Sequence, residues 1–175
     1  MTSGLPGLAG MDHLGFTVPD IEAVTRFFVD VMGCSLVFEV GPFRSDDNWT
    51  QVQLSVDPRA VIRSLRMLRC KTGPSFDIFE YEFEGACAIP PRNSDVGGHH
   101  LAFYVEDIGA AVAYLKSHGI AVQGDPVTME TAPTKGLTWV YFLSPWGTQL
   151  ELVSYPAGMT VTNQSPGSLW SPKDG

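Results

Sequence analysis

The sequence contains nearly the same segment twice, and both copies carry a histidine at the same position. Asp-His-Leu-Gly-Phe-Thr-Val-Pro-Asp-Ile at residues 12–21 returns as His-His-Leu-Ala-Phe-Tyr-Val-Glu-Asp-Ile at residues 99–108. The offset is constant and takes His13 to His100 (100 − 13 = 87). Tandem copies of a short segment indicate a repeated structural unit, because neighbouring units can complete a core that neither closes alone.

A second pair of segments repeats, and each member carries an acid. Phe-Asp-Ile-Phe-Glu-Tyr at residues 76–81 aligns with Leu-Glu-Leu-Val-Ser-Tyr at residues 150–155, which puts Asp77 and Glu151 at the same position. Two histidines and two carboxylates at equivalent positions have the stoichiometry of a metal site. Glu80 is an alternative to Asp77, but three residues further along a strand it points to the opposite face, so Asp77 is favoured.

The residues around each repeat predict a strand followed by a helix and then three further strands. Each histidine begins a run that alternates between the two faces of a strand. Asp20 and Asp107 are the predicted helix N-caps, and Gly33 and Gly119 are the predicted helix ends. The later strands are predicted in the first copy at Ser35–Val40, at either Thr50–Val56 or Ser64–Cys70, and at Phe76–Phe83, and in the second at Pro126–Glu130, Leu137–Leu143 and Thr148–Tyr155.

These elements predict an α+β fold in which two tandem βαβββ modules form one curved mixed-sheet cup. At 175 residues the chain is one domain or two small modules that share a core. The predicted boundaries are residues 10–84 for the first module, 85–98 for a linker, 99–156 for the second module and 157–175 for a loose C-terminal tail. The linker and the tail are rich in Pro, Gly and Ser and have no periodicity.

Charge and cysteine usage restrict the partners and the compartment. A net charge of −8 disfavours nucleic acid and anionic membranes as partners, because both would repel the protein. No apolar run is long enough to span a bilayer, and the first ten residues lack the pattern of a secretory signal. Cys34, Cys70 and Cys87 are odd in number and lack metal-ligand spacing, so we expect three reduced thiols in a cytoplasmic protein.

The two histidine strands, the βαβββ repeat and the closing Ser-Pro-Trp-Gly-Thr-Gln-Leu-Glu-Leu-Val at residues 144–153 resemble the vicinal oxygen chelate superfamily. That superfamily includes glyoxalase I, methylmalonyl-CoA epimerase, extradiol dioxygenases and the fosfomycin and bleomycin resistance proteins. The resemblance covers about residues 10–156 and implies a homodimer that binds a divalent ion (Zn, Co, Ni, Mn or Fe). The implied ligands are His13, Asp77, His100 and Glu151. Isomerase-type members more often have Glu or Gln where this chain has Asp77.

Three functions are compatible with this resemblance. The first is a metal-dependent isomerase or epimerase, or a glyoxalase-like lyase, which acts on an α-hydroxy ketone or a similar small molecule through a metal-stabilised enediolate. Glu151 would move the proton, with Asp77 or Glu39 as its partner. The second is an Fe(II) ring-cleaving dioxygenase that uses His13, His100 and Glu151. The third is a metal-free protein that binds a small molecule such as a drug.

Other chemistry-bearing residues have two interpretations each. A cluster of basic residues is either a solvated face or a partial anion site. Its members are Arg59, Arg63, Arg66, Arg69 and Lys71. Five aromatic residues are either pocket walls or packing residues. They are Phe43, Trp49, Trp139, Tyr141 and Trp146. His99 is interpreted as structural or as a support for a ligand, and His118 as a residue at a helix C-terminus.

Overall fold

The computed structural model describes residues 4–160 and 169–172 of the chain. The chain divides into two compact units, Met1–Ala86 and Cys87–Gly175. Each unit contains a four-stranded mixed sheet and helical segments, which confirms the α+β class and the two tandem modules. None of the helices in the described part of the chain is both long and apolar enough to cross a membrane.

The first unit follows the predicted order with one helix added. Its elements are β1 (His13–Thr17), α1 (Ile21–Arg26) continued by a π-helical turn (Phe27–Val31), β2 (Ser35–Val40), α2 (Trp49–Leu54), β3 (Val61–Arg69) and β4 (Ser75–Glu82). The sheet order is β1-β4-β3-β2. Strand β1 runs parallel to β4, while the other pairs are antiparallel.

The structure decides between the two alternatives for the third strand of this unit. Strand β3 contains most of the predicted Ser64–Cys70, whereas a strand at Thr50–Val56 is wrong because helix α2 (Trp49–Leu54) occupies most of these residues. The alternating side chains are typical of a strand, but β3 is the segment that pairs with both β2 and β4. The carboxylate of Asp47 accepts a hydrogen bond from the backbone nitrogen of Trp49 at 2.8 Å, which forms a turn just before α2.

The second unit repeats the same order without the added helix. Its elements are β5 (Leu101–Tyr104), α3 (Ile108–Ser117), β6 (Val122–Thr128), β7 (Thr138–Leu143) and β8 (Gln149–Ser154). The sheet order is β5-β8-β7-β6, again with the first and last strands parallel. Strand β6 begins at Val122 rather than at the predicted Pro126. Proline cannot donate to a ladder, but β6 lies at the sheet edge and its register shifts between Gln123 and Val127, which accommodates Pro126.

Each unit buries one face of its sheet beneath its own helix. The buried side chains of the first unit include Val24, Phe28, Leu68, Phe76 and Ile78. Those of the second unit include Val112, Leu115, Val140, Phe142, Leu150 and Leu152. Because successive side chains of a strand alternate in direction, the residues between these buried positions lie on the opposite face of each sheet.

The N-termini of α1 and α3 are capped in the same way, as the sequence predicts. The carboxylate of Asp20 accepts a hydrogen bond from the backbone nitrogen of Ala23 at 2.9 Å, and the carboxylate of Asp107 accepts one from Ala110 at 2.9 Å. These bonds satisfy backbone donors that a helix leaves without partners in its first turn.

The cysteine prediction was wrong for two of the three residues. Cys34 and Cys70 form a disulfide bond, whereas Cys87 is free and exposed. The antiparallel register of β2 and β3 explains the bond, because it pairs Ser35 with Arg69 and so places the two flanking cysteines opposite each other. Sequence spacing alone could not show this, since the two cysteines are 36 residues apart.

Part of the predicted C-terminal tail, residues 161–168 and 173–175, lies outside the described residues. In the described part, Ser171 is buried and its hydroxyl oxygen lies 3.2 Å from the hydroxyl oxygen of Tyr155. The backbone nitrogen of Thr160 lies 3.3 Å from the carbonyl oxygen of Lys135. These described segments of the tail therefore make contacts within the second unit.

The disulfide predicts a difference in stability between the oxidised and reduced proteins. In a Cys87→Ser background, reduction should lower the free energy of unfolding by roughly 3–4 kcal/mol, because the bond closes a loop of 36 residues in the unfolded chain. Urea denaturation with and without reductant measures this difference, and Cys34→Ser/Cys87→Ser is the control that reductant should not affect. Three titratable thiols in the denatured, unreduced wild-type protein would contradict the assignment.

Candidate functional site

The parallel pairing of first and last strands places a histidine beside a carboxylate in each unit. In the first unit, Gly15 of β1 lies opposite Asp77 of β4, and His13 is two residues before Gly15 on the same face. The Nε2 atom of His13 lies 3.8 Å from Oδ2 of Asp77. Each predicted residue of this pair therefore lies on the sheet face opposite α1.

The second unit repeats this arrangement with a longer acid. Ala102 of β5 lies opposite Glu151 of β8, and His100 is two residues before Ala102. The Nε2 atom of His100 lies 3.2 Å from Oε2 of Glu151. The structure thus brings together His13 with Asp77 and His100 with Glu151. Among residues 4–160 and 169–172, no three His, Cys, Asp or Glu side chains form a group that could hold a metal ion.

The second ring nitrogen of each histidine contacts a side-chain oxygen. The Nδ1 atom of His13 lies 2.7 Å from Oδ1 of Asp12, and the Nδ1 atom of His100 lies 3.3 Å from Oδ1 of Asn93. An acceptor at Nδ1 keeps the proton on that nitrogen and leaves the Nε2 lone pair available to a metal ion. The sequence reasoning missed both oxygens as supports, and Asn93 lies in the predicted linker, where no periodicity could indicate it.

Asp77 is a buried carboxylate, and one of its oxygen atoms is not hydrogen-bonded within the part of the chain that the structure describes. It is 6% exposed, and its Oδ1 atom has no hydrogen-bond partner among the described residues. Burial raises the pKa of Asp77, and the nearby His13 opposes this rise. A buried acceptor without a donor is costly, and a cation would satisfy it. Imidazole and carboxylate groups are the donor types that suit a divalent ion, and the unpaired oxygen of Asp77 is compatible with such an ion.

The pKa values of Glu151 and His13 are also raised. Burial raises the pKa of Glu151, and His100 opposes this rise through its charge and its hydrogen bond. The hydrogen bond to Asp12 and the charge of Asp77 raise the pKa of His13. A carboxyl group with a raised pKa holds its proton closer to neutral pH, which suits a group that accepts and returns a proton.

The space for Asp77 depends on the absence of a side chain at Gly15. A Cβ atom at this position would collide with Oδ1 of Asp77 and would lie 3.5 Å from the ring of Phe79. The equivalent residue in the second unit, Ala102, carries such a Cβ atom opposite Glu151. The shorter acid in the first unit is therefore accompanied by a smaller residue on the facing strand.

Two of the predicted pocket-wall aromatics lie beside His100 and Glu151. Tyr141 of β7 is paired with Glu151, and its ring centroid lies 5.2 Å from that of His100 in an edge-on arrangement. Trp139, two residues earlier on the same face, lies 5.2 Å from Tyr141, and its Nε1 atom donates to the sulfur of Met129 at 3.5 Å. Both rings are only partly buried, so they can contact a ligand.

The remaining candidates have structural partners elsewhere. Glu80 accepts a hydrogen bond from the backbone nitrogen of Ile21 at 2.8 Å, at the beginning of α1. Glu39 accepts a hydrogen bond from Ser64 at 2.8 Å and contacts Arg66 at 3.2 Å. Ser64 is buried on the face of β3 that α1 covers, so Glu39 lies on the opposite face of the sheet from Asp77.

The other aromatic, histidine and basic residues of the predicted sets also make local contacts. Phe43 and Trp49 pack against each other with ring centroids 5.2 Å apart. The Nδ1 atom of His118, at the end of α3, lies 2.9 Å from the carbonyl oxygen of Tyr114, and that of His99 lies 3.0 Å from the carbonyl oxygen of Gly97. Three arginines of the basic cluster form ion pairs with carboxylates, which favours the interpretation as a charge-balanced face. They are Arg59 with Asp57, Arg63 with Glu80 and Glu82, and Arg66 with Glu22 and Glu39.

Comparison with known proteins identifies the family to which this fold belongs. The model of the glyoxalase/bleomycin resistance protein/dioxygenase superfamily matches residues 10–152, and the chain belongs to this superfamily. The resemblance to the vicinal oxygen chelate proteins is thereby confirmed.

Individual relatives resemble the chain over most of its length. A 2-epi-5-epi-valiolone epimerase from an Actinomyces species is 40% identical over 171 residues, which are 97% of this chain and 92% of that protein. The uncharacterized protein YaeR of Escherichia coli K12 is 29% identical over 147 residues, which are 83% of this chain and 96% of that protein. The crystal structure of a glyoxalase family protein from Bacillus cereus has the same fold, with a TM-score of 0.68 and 18% identity over 88% of this chain and 97% of that one.

The raised pKa of Asp77 predicts how the stability of the metal-free protein depends on pH. The native state binds the proton of Asp77 more tightly than the unfolded state does, so protonation of this residue stabilises the folded protein. This stabilisation is fully present below the unfolded pKa of about 3.9 and is lost as the pH rises through the native pKa. At pH 7, metal-free Asp77→Asn should therefore be more stable than the wild type, and the difference should vanish in acid.

Glu39→Gln is the matched contrast, because hydrogen bonds from Ser64 and Arg66 lower the pKa of Glu39. It should be less stable than the wild type at pH 7, and this difference should also close as the pH falls through the lowered pKa. Urea denaturation between pH 3 and pH 8 measures both differences. The same sign for the two variants at pH 7 would contradict the prediction.

The close approach at Gly15 predicts a steric effect specific to Asp77. Gly15→Ala should destabilise the metal-free protein by about 1–3 kcal/mol, because the new methyl group displaces the carboxylate. The cost should be smaller in an Asp77→Ala background, and chemical denaturation of the four proteins gives the coupling energy. Gly10→Ala is the control, since a Cβ atom there would meet nothing within 4 Å. Equal costs in both backgrounds would disprove the clash.

Proposed function

We propose that the protein is a metal-dependent epimerase that acts on a polyhydroxylated cyclic ketone. The observation that carries this proposal is the 40% identity to a 2-epi-5-epi-valiolone epimerase over 97% of the chain. The two histidine–carboxylate pairs, together with the membership of the chain in the glyoxalase superfamily, support an isomerase-type reaction at a carbon next to a carbonyl group. The proposed substrate is 2-epi-5-epi-valiolone or a cyclitol ketone of the same type.

The proposed metal ligands are the Nε2 atoms of His13 and His100 and the carboxylates of Asp77 and Glu151. Imidazole and carboxylate groups suit a divalent ion such as Zn, Co, Ni, Mn or Fe, and the unpaired Oδ1 atom of Asp77 supports its assignment. A divalent ion held by these groups would act as a Lewis acid toward the carbonyl oxygen of the substrate.

The carboxylate of Glu151 is the proposed base in the reaction. Burial raises its pKa, so that it binds a proton more strongly than an exposed glutamate does, and the nearby His100 stabilises its ionised form. It would remove the proton from the carbon next to the carbonyl group. Asp77, whose pKa burial also raises, is the second carboxyl group assigned to proton transfer.

The aromatic side chains next to Glu151 are suited to such a substrate. Tyr141 and Trp139 present ring surfaces on the sheet face that carries Glu151, and the contact with Met129 fixes the orientation of Trp139. The C–H bonds of a cyclitol form apolar patches that pack against aromatic rings, while its hydroxyl groups remain free for hydrogen bonds.

The test is epimerisation and solvent-deuterium incorporation with 2-epi-5-epi-valiolone in deuterium oxide. The wild type, purified without chelator, should carry about one transition metal per chain and incorporate deuterium next to the carbonyl group. Glu151→Gln should lower the exchange rate by roughly 10²–10⁴-fold, because an amide cannot accept the proton. Glu84→Gln, an exposed glutamate, is the control and should exchange like the wild type.

Elemental analysis of His13→Ala/His100→Ala completes the test, since this variant should lose the metal. If Glu151→Gln retained solvent-deuterium exchange, Glu151 would be ruled out as the residue that transfers the proton. Bound iron together with oxygen uptake in the presence of catechols would favour the dioxygenase instead. A wild type without metal that binds a small molecule equally well with and without chelator would favour the binding protein.

A further inference from the structure

The segment before His100, predicted as a linker, is folded into a closed turn. The backbone nitrogen of Asp95 donates to the carbonyl oxygen of Arg92 at 2.9 Å, and the backbone nitrogen of Gly98 donates to the carbonyl oxygen of Asp95 at 2.8 Å. The guanidinium group of Arg92 closes the turn through two contacts of 3.1 and 2.9 Å with the carboxylate of Asp95. A Cβ atom at Gly98 would collide with both carbonyl oxygens, so the turn requires glycine there.

This turn holds Asn93 beside the ring of His100. The side-chain oxygen of Asn93 lies 3.3 Å from Nδ1, while Nε2 on the other side of the ring lies 3.2 Å from Glu151. The ring of Tyr141 packs against the same imidazole at a centroid distance of 5.2 Å. Contacts from three different segments therefore fix the ring plane and its rotation.

The first unit achieves the same arrangement with a different residue. His13 receives its Nδ1 contact from the adjacent residue, Asp12, at 2.7 Å. The equivalent neighbour in the second unit is His99, whose Nδ1 lies near the carbonyl oxygen of Gly97 instead. Asn93 thus supplies from seven residues away the oxygen that the repeat no longer supplies from the adjacent position.

We infer that Asn93 is a positioning residue that orients His100 by accepting a hydrogen bond from Nδ1 and so directs Nε2 toward the metal. The inference rests on the proposed function, since it assigns His100 as a ligand. Asn93 itself contacts neither metal nor substrate in this role. It acts through the imidazole, because a proton fixed on Nδ1 leaves the Nε2 lone pair free to bind.

The test is the affinity for Co²⁺, measured by competition with a chelator. Asn93→Ala should weaken Co²⁺ binding by roughly 10–100-fold, the usual effect of removing a hydrogen-bond partner of a ligating histidine. Asn93→Asp should bind Co²⁺ as tightly as the wild type or more tightly, because it reproduces the Asp12–His13 contact. Ser94→Ala, a substitution at the neighbouring exposed residue, is the control and should leave the affinity unchanged.

Nuclear magnetic resonance of the metal-free protein supplies a second measurement. The ring resonances of His100 should shift in Asn93→Ala, while those of His13 should not. Asn93→Ala that binds Co²⁺ as tightly as the wild type would overturn the inference alone, provided that His100→Ala loses binding. A wild type that binds no Co²⁺, or His100→Ala that binds it normally, would overturn both the proposed function and the role of Asn93.

Discussion

The parallel pairing of the first strand of each unit with its last strand is the contact on which the candidate site depends. It brings residues from opposite ends of a module into adjacent positions, with Gly15 beside Asp77 and Ala102 beside Glu151. Because side chains alternate along a strand, a slip of one residue would turn each carboxylate toward the helix-covered face. Such a slip would also expose hydrophobic residues that are buried on that face, such as Ile78 and Leu152, and is therefore unfavourable.

The burial that fixes this register also determines the chemistry of the acids. Asp77 and Glu151 lie in strands whose neighbouring residues are buried, so both carboxyl groups lose hydration and their pKa values rise. Arg66, a buried cation of the first unit, is instead stabilised by ion pairs with the carboxylates of Glu22 and Glu39. One face of the sheet therefore carries a charge network that stabilises the fold. The other face carries the Oδ1 atom of Asp77, which has no hydrogen-bond partner in the described part of the chain.

The two repeats retain one arrangement but build it from different residues. The first combines Asp77 with Gly15, and the second combines Glu151 with Ala102. The first supports its histidine from the adjacent Asp12, and the second from the more distant Asn93. In each case a different residue in the second unit makes the equivalent contact to the histidine or lies opposite the carboxylate. This pattern explains how internal symmetry persists in the structure where the sequence of the repeats has diverged.

The sequence by itself determined the repeat, most of the strand–helix order and the equivalent positions of the two histidines and the two carboxylates, because these follow from local periodicity, capping and the constant offset. Asp20 and Asp107 cap their helices as predicted, since capping depends only on neighbouring residues. Only the tertiary structure decided the features that depend on contacts between distant segments. It decided that Ser64–Cys70 rather than Thr50–Val56 supplies the third strand of the first unit, because β3 pairs with both β2 and β4. It also joined Cys34 to Cys70 across the antiparallel pair of β2 and β3. It also brought Asn93 to His100 through a closed turn, because no pattern along the chain specifies where a turn carries its side chains.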